Sequence, residues 1–176
     1  TDGVGMGRDM VANYGWTLAG RRALVIGAGG AVRGVLQPLL RESPASLTVV
    51  NRTAERAEQL AADFSSDNNV AISGGGFESI EGETFDLIIN GTGASLKGEM
   101  LALPGVQLSD RCCCYDMGYG SEPTPFMRWA ASQAAWAVAD GLGMLVEQAA
   151  ESFYLWRGKR PETTSVIQHL RQQMES

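Results

Sequence analysis

The chain has 176 residues, 44% of them hydrophobic, which is enough apolar material for one well-buried domain. Fourteen basic residues against twenty acidic ones give a net charge of -6, which disfavours non-specific binding to nucleic acid or to anionic membranes. No apolar run reaches the roughly 18 residues that a transmembrane helix needs, and residues 1–15 lack the pattern of a signal peptide. We therefore expect a soluble, cytoplasmic protein with no nucleic-acid or membrane partner.

The first third of the chain alternates helix and strand signals. Residues 4–14 predict a short helix that ends at Gly15, and residues 22–26 predict an apolar strand that runs directly into a glycine-rich turn. A helix follows whose apolar face is formed by Val32, Val35, Leu36, Leu39 and Leu40, although Pro38 should bend it. Residues 47–50 predict a second strand, and residues 54–64 predict a helix capped by Thr53. These elements complete a βαβ unit.

The alternation continues through the middle of the chain and then stops. Further strands are predicted at residues 70–73, 85–90, 112–116 and 136–139, with a surface loop at 73–83 and a helix at 125–134. Continuous apolar strands alternating with helices indicate an α/β, Rossmann-like, doubly wound fold with a mainly parallel sheet. Residues 141–157 and 164–174 predict two helices joined by the turn 157–162, and these helices need not pack on the sheet.

The glycine-rich run LVIGAGGAVRG, residues 24–34, is typical of a dinucleotide site. A pyrophosphate is bound by backbone N–H groups at a helix N-terminus, and glycines allow the backbone to come close. Gly27, Gly29 and Gly30 occupy the positions that this requires, with Ala28 and Ala31 between and after them. Val32, however, stands at the third fingerprint position, where glycine or alanine is usual, so a glycine-rich turn without a ligand is the alternative.

Two arginines near the end of the second predicted strand indicate which dinucleotide is bound. An acid at this point would bind the ribose hydroxyls of NAD, or of S-adenosylmethionine, whereas arginine suits the 2′-phosphate of NADP. The chain has Asn51 and Arg52 there, and Arg56 lies one helical turn further on. We predict NADP as the cofactor. The alternative is a solvated surface pair with the nearby acids Glu55 and Glu58.

The cysteines and the single histidine are not expected to carry chemistry. Cys112, Cys113 and Cys114 are consecutive, so neighbouring side chains point to opposite faces of a strand and suit neither a disulfide framework nor a metal site. We interpret them as buried strand residues and expect no metal. His169 has no companion ligands, and we assign it no catalytic role.

Six motifs in order resemble the shikimate dehydrogenase family: TDGVG, GAGGAVRG, NRTAER, FDLIINGT, YDMGY and ADGLGMLVEQAA. The resemblance runs from Thr1 nearly to Ser176 but covers only the later part of such an enzyme, so we expect a fragment that lacks a first domain. The family reduces 3-dehydroshikimate reversibly to shikimate with NADP, in aromatic amino acid biosynthesis. The resemblance therefore implies an oxidoreductase, with shikimate or 3-dehydroshikimate as the substrate of the full enzyme.

The resemblance also implies roles for individual residues. Asp2 matches the catalytic aspartate, whose lysine partner belongs to the domain without a counterpart here. Thr1, Asp2, Tyr119 and Gln148 match substrate-binding residues. The positions that match cofactor-binding residues are Asn51, Arg52, Thr53 and Arg56 at the ribose phosphate, and Thr92, Gly93, Ala94, Met117 and Gly141 near the nicotinamide half. The loop at Gly91 and Gly93 departs from the family's usual alanine, threonine and serine pattern.

The resemblance predicts how the chain is divided and how it behaves alone. Residues 1–140 are expected to form the NADP-binding domain, and residues 141–176 to form helices that would pack on the missing substrate domain. Met144, Leu145, Phe153, Tyr154 and Trp156 are then expected to be partly uncovered and to cause self-association or disorder of the tail. The fragment should bind cofactor but scarcely turn over. The alternatives are a quinate or broader cyclohexane-carboxylate dehydrogenase, and a non-catalytic NADP-sensing module.

Overall fold

A parallel sheet lies at the centre of the molecule. The computed structural model describes residues 1–66, 69–94, 97, 103 and 105–176. The strands in these residues are β1 (Arg22–Ile26), β2 (Ser46–Val50), β3 (Ala71–Gly75), β4 (Thr84–Asn90), β5 (Gln107–Asp116) and β6 (Ala137–Ala139). The helices are α1 (Asp2–Arg8), α2 (Gly30–Arg41), α3 (Ala54–Ser65), α4 (Pro125–Ser132), α5 (Leu142–Arg157) and α6 (Thr164–Glu175). The described strands are all parallel, in the order β3-β2-β1-β4-β5-β6.

The predicted Rossmann-like fold is confirmed. The chain builds outward from β1 to β2 and β3, and then returns to the other side of β1 to add β4, β5 and β6. This is the doubly wound order in which a dinucleotide binds where the direction of winding reverses. No helix among the described residues is long and apolar enough to cross a membrane.

Each face of the sheet carries its own hydrophobic core, because successive strand residues point to opposite sides. On β1, Ala23 and Val25 pack into the core beneath α1, α2 and α3, whereas Leu24 and Ile26 pack into the core beneath α4. The three cysteines of β5 follow the same alternation and are all free and buried. Their predicted role as buried strand residues is confirmed.

The first predicted helix is two helical segments rather than one. After α1 the chain continues as a π-helical segment, Asp9–Asn13, which ends before Gly15 with a φ of +70°. The wider π turn places buried Asp9 beneath the helix, as described below. The predicted stop at Gly15 is confirmed.

Two of the predicted boundaries are wrong. The predicted surface loop 73–83 contains the end of β3 and a short 3-10 helix, Phe77–Ile80, because Ile80 is buried against the sheet. β5 begins at Gln107 rather than at residue 112, since its polar first half pairs with β4 through an irregularity between Phe85 and Leu87. The predicted N-cap position of Thr53 before α3 is confirmed, although its side chain makes no capping hydrogen bond.

The last two helices pack on the rest of the molecule. α5 packs closely against α1, and α6 packs against α5. Met144 is only 8% exposed because the first turn of α5 faces the core, so the prediction that it would be uncovered is wrong. Leu145, Phe153, Tyr154 and Trp156 are exposed as predicted, and Trp156 reaches 80%. The division between residues 1–140 and 141–176 stays a prediction.

Candidate dinucleotide site

The candidate site lies at the carboxyl ends of the strands, between β1 and β4. Ligands of doubly wound sheets bind in the crevice at this point, where strand order reverses. The loops after the two strands meet there: Gly27 N–H donates to Val50 O at 2.7 Å, and Gly91 N–H donates to Ile26 O at 2.8 Å. The sheet therefore holds both loops by backbone hydrogen bonds at the mouth of the crevice.

The glycine turn has the geometry that a diphosphate requires. Gly27 has a φ of +112°, and a Cβ placed there would lie 3.2 Å from the backbone of Gly91. Gly29 is the N-cap of α2 and Gly30 its first residue; both are exposed, and a Cβ at either would point into open space. The N–H groups of the first turn of α2 are thus accessible to an anion. Ala28 is half-buried and Ala31 is exposed.

The two predicted phosphate-binding arginines are exposed, and the described residues provide neither with an ion pair. Arg52 follows β2, and Arg56 lies in the first turn of α3. Of the carboxylates in the described part of the chain, none is within 4.0 Å of either guanidinium. Neither Glu55 nor Glu58 forms an ion pair with these arginines in the structure, and a solvated surface pair stays the alternative to phosphate binding. Two guanidinium groups without a protein carboxylate suit a doubly charged phosphate group, to which arginine bonds bidentately.

The neighbouring residues hold the chain in place where β2 ends. Asn51 N–H donates to Gly75 O at 3.1 Å, which extends the pairing of β2 and β3 by one residue. The Asn51 side chain donates to Thr53 O at 3.1 Å. These bonds fix the turn between strand and helix and thereby the separation of the two arginines.

A buried polar network that the sequence analysis missed supports the loops after β4 and β5. The buried Asp116 carboxylate accepts from Asn90 Nδ2 at 3.2 Å, from Gly118 N–H at 2.9 Å and from Thr124 Oγ1 at 2.6 Å. Asn90 Oδ1 in turn accepts from Thr92 N–H and from Thr92 Oγ1 at 2.8 Å. A polar residue at the last position of two adjacent apolar strands was the signal that could have revealed this network.

The residues predicted near the nicotinamide half come together around these loops. Thr92 and Ala94 are half-buried and Gly93 is exposed on the loop after β4. Gly141 N–H donates to Gly118 O at 2.9 Å, and a Cβ at Gly141 would fall well under 3.0 Å from the Met117 carbonyl oxygen. Only glycine allows the turn after β6 to approach Met117 so closely. The structure thus places Met117 and Gly141 side by side.

The predicted substrate residues lie on different elements. Thr1 precedes α1 and Asp2 is its first residue, while Gln148 lies on α5. The two helices meet at Gly5, where an added Cβ would lie 2.8 Å from Gln148 N. Tyr119 follows β5 and is 39% exposed, with no hydrogen bond to the other three in the described structure. The helices α1 and α5 therefore bring Gly5, three residues after Asp2, against the backbone of Gln148.

A second buried network, also missed from the sequence, joins the π-helical segment Asp9–Asn13 to β5 and, through Asn13 and Glu147, to α5. Tyr115 Oη donates to Asp9 Oδ2 at 2.6 Å, and Asn13 Nδ2 donates to Asp9 Oδ1 at 2.8 Å. Burial raises the pKa of Asp9 above its usual value, with Glu147 and Asp140 adding to the rise against the hydrogen bonds. Burial and the neighbouring Asp9 raise the pKa of Tyr115 well above 10.

Two acids anchor the tail. Buried Glu147 lies 3.4 Å from Arg8 Nε and 3.7 Å from Arg160 Nη1, and it accepts from Thr163 Oγ1 at 2.7 Å. Asp140, directly before Gly141, accepts two bonds from Arg171 of α6 at 2.6 and 2.7 Å. α6 is thereby tied to the turn that carries Gly141.

Two family models match this chain. The model described as Shikimate / quinate 5-dehydrogenase matches residues 10–97, which is half of the chain. The model described as Shikimate 5'-dehydrogenase C-terminal domain matches residues 141–171. The matched residues include the glycine turn, both candidate arginines and α5.

Individual proteins agree with the family models. The chain is 55% identical over 174 residues to the shikimate dehydrogenase (NADP(+)) of Cellvibrio japonicus, a match that covers 99% of this chain and 62% of that relative. A crystal structure of an enzyme from Pseudomonas putida is 42% identical, with a TM-score of 0.84 over 96% of this chain and 61% of the other.

A third comparison comes from a structure solved with its ligands. The shikimate 5-dehydrogenase of Thermus thermophilus, in complex with NADP(H) and shikimate, is 29% identical with a TM-score of 0.78, covering 97% of this chain and 61% of the other. The chain thus spans somewhat less than two thirds of the length of these relatives. The resemblance seen in six motifs is confirmed, and the chain belongs to the shikimate and quinate 5-dehydrogenase family.

Proposed function

We propose that this chain is the NADP-binding part of a shikimate dehydrogenase. The observation that carries the proposal is the pair of exposed arginines where β2 ends, Arg52 and Arg56, which have no carboxylate partner in the described part of the chain. They stand beside an accessible glycine turn in the crevice where such folds bind dinucleotides. The name of the Cellvibrio japonicus relative, which includes NADP(+), supports the same cofactor.

Different residues around the crevice would bind different parts of the cofactor. N–H groups from Gly29 to Ala31 would receive the diphosphate, and Asn51, Arg52, Thr53 and Arg56 would hold the ribose phosphate. Thr92, Gly93, Ala94, Met117 and Gly141 would line the nicotinamide side. NADP supplies or accepts a hydride when bound, and the role of these protein groups is to bind and orient it.

The substrate would meet a second set of groups. Thr1, Tyr119 and Gln148 would bind shikimate or 3-dehydroshikimate, and the Asp2 carboxylate would give or take the hydroxyl proton. In the family a lysine shares that proton transfer, and it has no counterpart among these 176 residues. Since proton transfer and positioning are each worth orders of magnitude in rate, the chain alone should bind cofactor with little turnover.

Quinate is the second candidate substrate, because the matching family model is described by both names. Residues outside this chain would contribute to that choice.

Three buried free cysteines suit a reducing compartment, and a cytoplasmic location is part of the proposal.

The cofactor is tested by titrating the chain with NADPH and NADH and following the fluorescence of the reduced nicotinamide. NADPH should bind tens-fold more tightly than NADH, since each charge-assisted bond to the ribose phosphate contributes about 1.5–3 kcal/mol. Arg52→Ala should remove most of that difference by weakening NADPH and not NADH.

Arg41→Ala is the matched control. Arg41 is also exposed and forms no ion pair with any residue that the structure describes, but it lies at the C-terminal end of α2, at the opposite edge of the sheet. This variant should keep the preference for NADPH. Equal affinities for NADPH and NADH in the unsubstituted chain would overturn the proposal.

A further inference from the structure

Two residues that depart from the expected patterns, Val32 and Gly91, lie against each other at the crevice. The third position of the dinucleotide fingerprint is usually a glycine, which allows the helix to pack closely against the strands. This chain has Val32 there, on the first turn of α2, and it is fully buried. The second departure is Gly91, directly after β4.

The side chain of Val32 occupies the space that a side chain at position 91 would need. A Cβ built on Gly91 would lie well under 3.0 Å from Val32 Cγ2, and 3.1 Å from Met117 Sδ on its other side. Contacts under 3.0 Å essentially never occur for a real Cβ, so one of the two partners would have to move.

Neither partner can move easily. Gly91 N–H donates to Ile26 O at 2.8 Å, which ties the loop to the end of β1. A β-branched residue in a helix has one strongly preferred rotamer, so Val32 cannot rotate its methyl group away at low cost. Displacing Val32 would move the first turn of α2, which carries the N–H groups proposed to bind the diphosphate.

We propose that Val32 and Gly91 act as one coupled positioning pair for the cofactor. The close packing that the fingerprint normally obtains from a glycine on the helix is obtained here from Gly91 on the facing loop. Val32 is compatible with dinucleotide binding because Gly91 has no side chain. This inference rests on the proposed binding of NADP.

The test is a double-mutant cycle of the chain with Gly91→Ala, Val32→Ala and the combination of the two. NADPH affinity and thermal unfolding are measured for each variant. Gly91→Ala should weaken NADPH binding about tenfold or more and lower the unfolding midpoint. In the double variant, the smaller residue at position 32 should restore NADPH affinity to within about threefold of Val32→Ala alone.

Gly34→Ala is the control for adding a methyl group to this region. Gly34 lies on α2, and a Cβ there would have nothing within 4 Å, so NADPH affinity should not change. The proposal is overturned if Gly91→Ala binds NADPH like the unsubstituted chain. It is also overturned if the double variant binds as weakly as Gly91→Ala.

Two further outcomes are separated by the unfolding measurement. If Gly91→Ala is too unstable for titration, the cycle is read from the unfolding midpoints: a smaller fall caused by Gly91→Ala in the Val32→Ala background than in the unsubstituted chain supports the coupling, and an equal or larger fall overturns it. If the unsubstituted chain fails to bind NADPH, the proposed function fails. In that case the unfolding midpoints still test whether Val32 and Gly91 are coupled.

Discussion

Acidic and basic side chains of this molecule occupy different environments. The carboxylates of Asp9, Asp116 and Glu147 are buried and hydrogen-bonded, whereas Arg52 and Arg56 lie exposed at the crevice. A buried carboxylate is tolerated only when it is paired or hydrogen-bonded, so the buried acids serve the architecture. The exposed arginines retain their hydrogen-bonding capacity for a ligand.

Asp9 should give the fold a measurable pH dependence. Because its pKa is raised above 3.8 in the folded chain, the folded state keeps this proton to higher pH than the unfolded state does. The stabilisation from this group is complete below pH 3.8 and is lost as the pH rises through the raised pKa. The free energy of unfolding of the unsubstituted chain, compared with Asp9→Asn, should therefore fall across that interval and then level off.

Urea denaturation at a series of pH values measures this effect. Asp110→Asn, at an exposed carboxylate of β5, is the control and should give a curve parallel to that of the unsubstituted chain. A constant difference between the unsubstituted chain and Asp9→Asn at every pH would contradict the prediction.

Site residues that belong to a local sequence pattern could be predicted, whereas residues whose partners are distant in sequence could not. Gly27, Gly29 and Arg52 were recognised because their spacing after a strand is itself the signal. Asp9 was missed because its partner Tyr115 is 106 positions away, and no local sequence pattern indicates that a single acid in a helix is buried. The network around Asp116 was missed for the same reason.

At the level of elements, α1 is fixed by two glycines that face in different directions. A Cβ on Gly3 would collide with Pro38 of α2, and a Cβ on Gly5 would lie 2.8 Å from Met144 O and Gln148 N of α5. Both contacts at Gly5 are to backbone atoms, which a rotamer change cannot relieve. α1 is therefore wedged between α2 and α5, and this sets where Asp2 lies relative to Gln148.

Gly5→Ala should destabilise the fold, although alanine is the better helix former. The added methyl group would force α1 away from α5, and overpacking of this kind costs about 1–3 kcal/mol, against a gain of at most about 1 kcal/mol in helix propensity. Gly7→Ala is the matched control, because a Cβ there has nothing within 4 Å and should leave stability unchanged or raise it. Urea denaturation distinguishes the two, and equal stability of both variants would refute the wedge.

The periodic patterns predicted the existence and type of the described strands and helices better than their ends. β1 and α2 were recognised because apolar residues repeat with a clear period. The polar start of β5 and the 3-10 helix around Ile80 were missed because pairing with β4 and burial of one side chain decide them. Tertiary packing overrides local preference at such positions.

For the whole molecule, the exposed apolar residues of α5, most of them in its last turn, predict self-association. Leu145, Phe153, Tyr154, Leu155 and Trp156 are all more than 40% exposed on one helix. Exposed apolar surface of this kind mediates contacts between proteins. The chain should form reversible dimers or larger species at roughly 10–100 µM, the range in which weak interfaces of about 5.5–7 kcal/mol associate.

Sedimentation velocity over that range measures the association. The double substitution Leu155→Ser and Trp156→Ser should shift the chain to monomer, whereas Trp136→Ser, at a tryptophan 54% exposed beside β6, should not. A monomer at all concentrations, with the amides of α5 and α6 fully protected from hydrogen exchange, would contradict the prediction.

The consecutive cysteines of β5 can be used to measure how often the sheet becomes exposed to solvent. Cys113 packs into one core and its two neighbours into the other, so each side of the sheet encloses thiols that no reagent reaches in the native state. A thiol-modifying dye can react only with molecules in which β5 has separated from its covering helices. The labelling rate therefore measures how often this happens. With Cys113 replaced by Ala, or Cys112 and Cys114 replaced together, the same assay would time the exposure of each side separately.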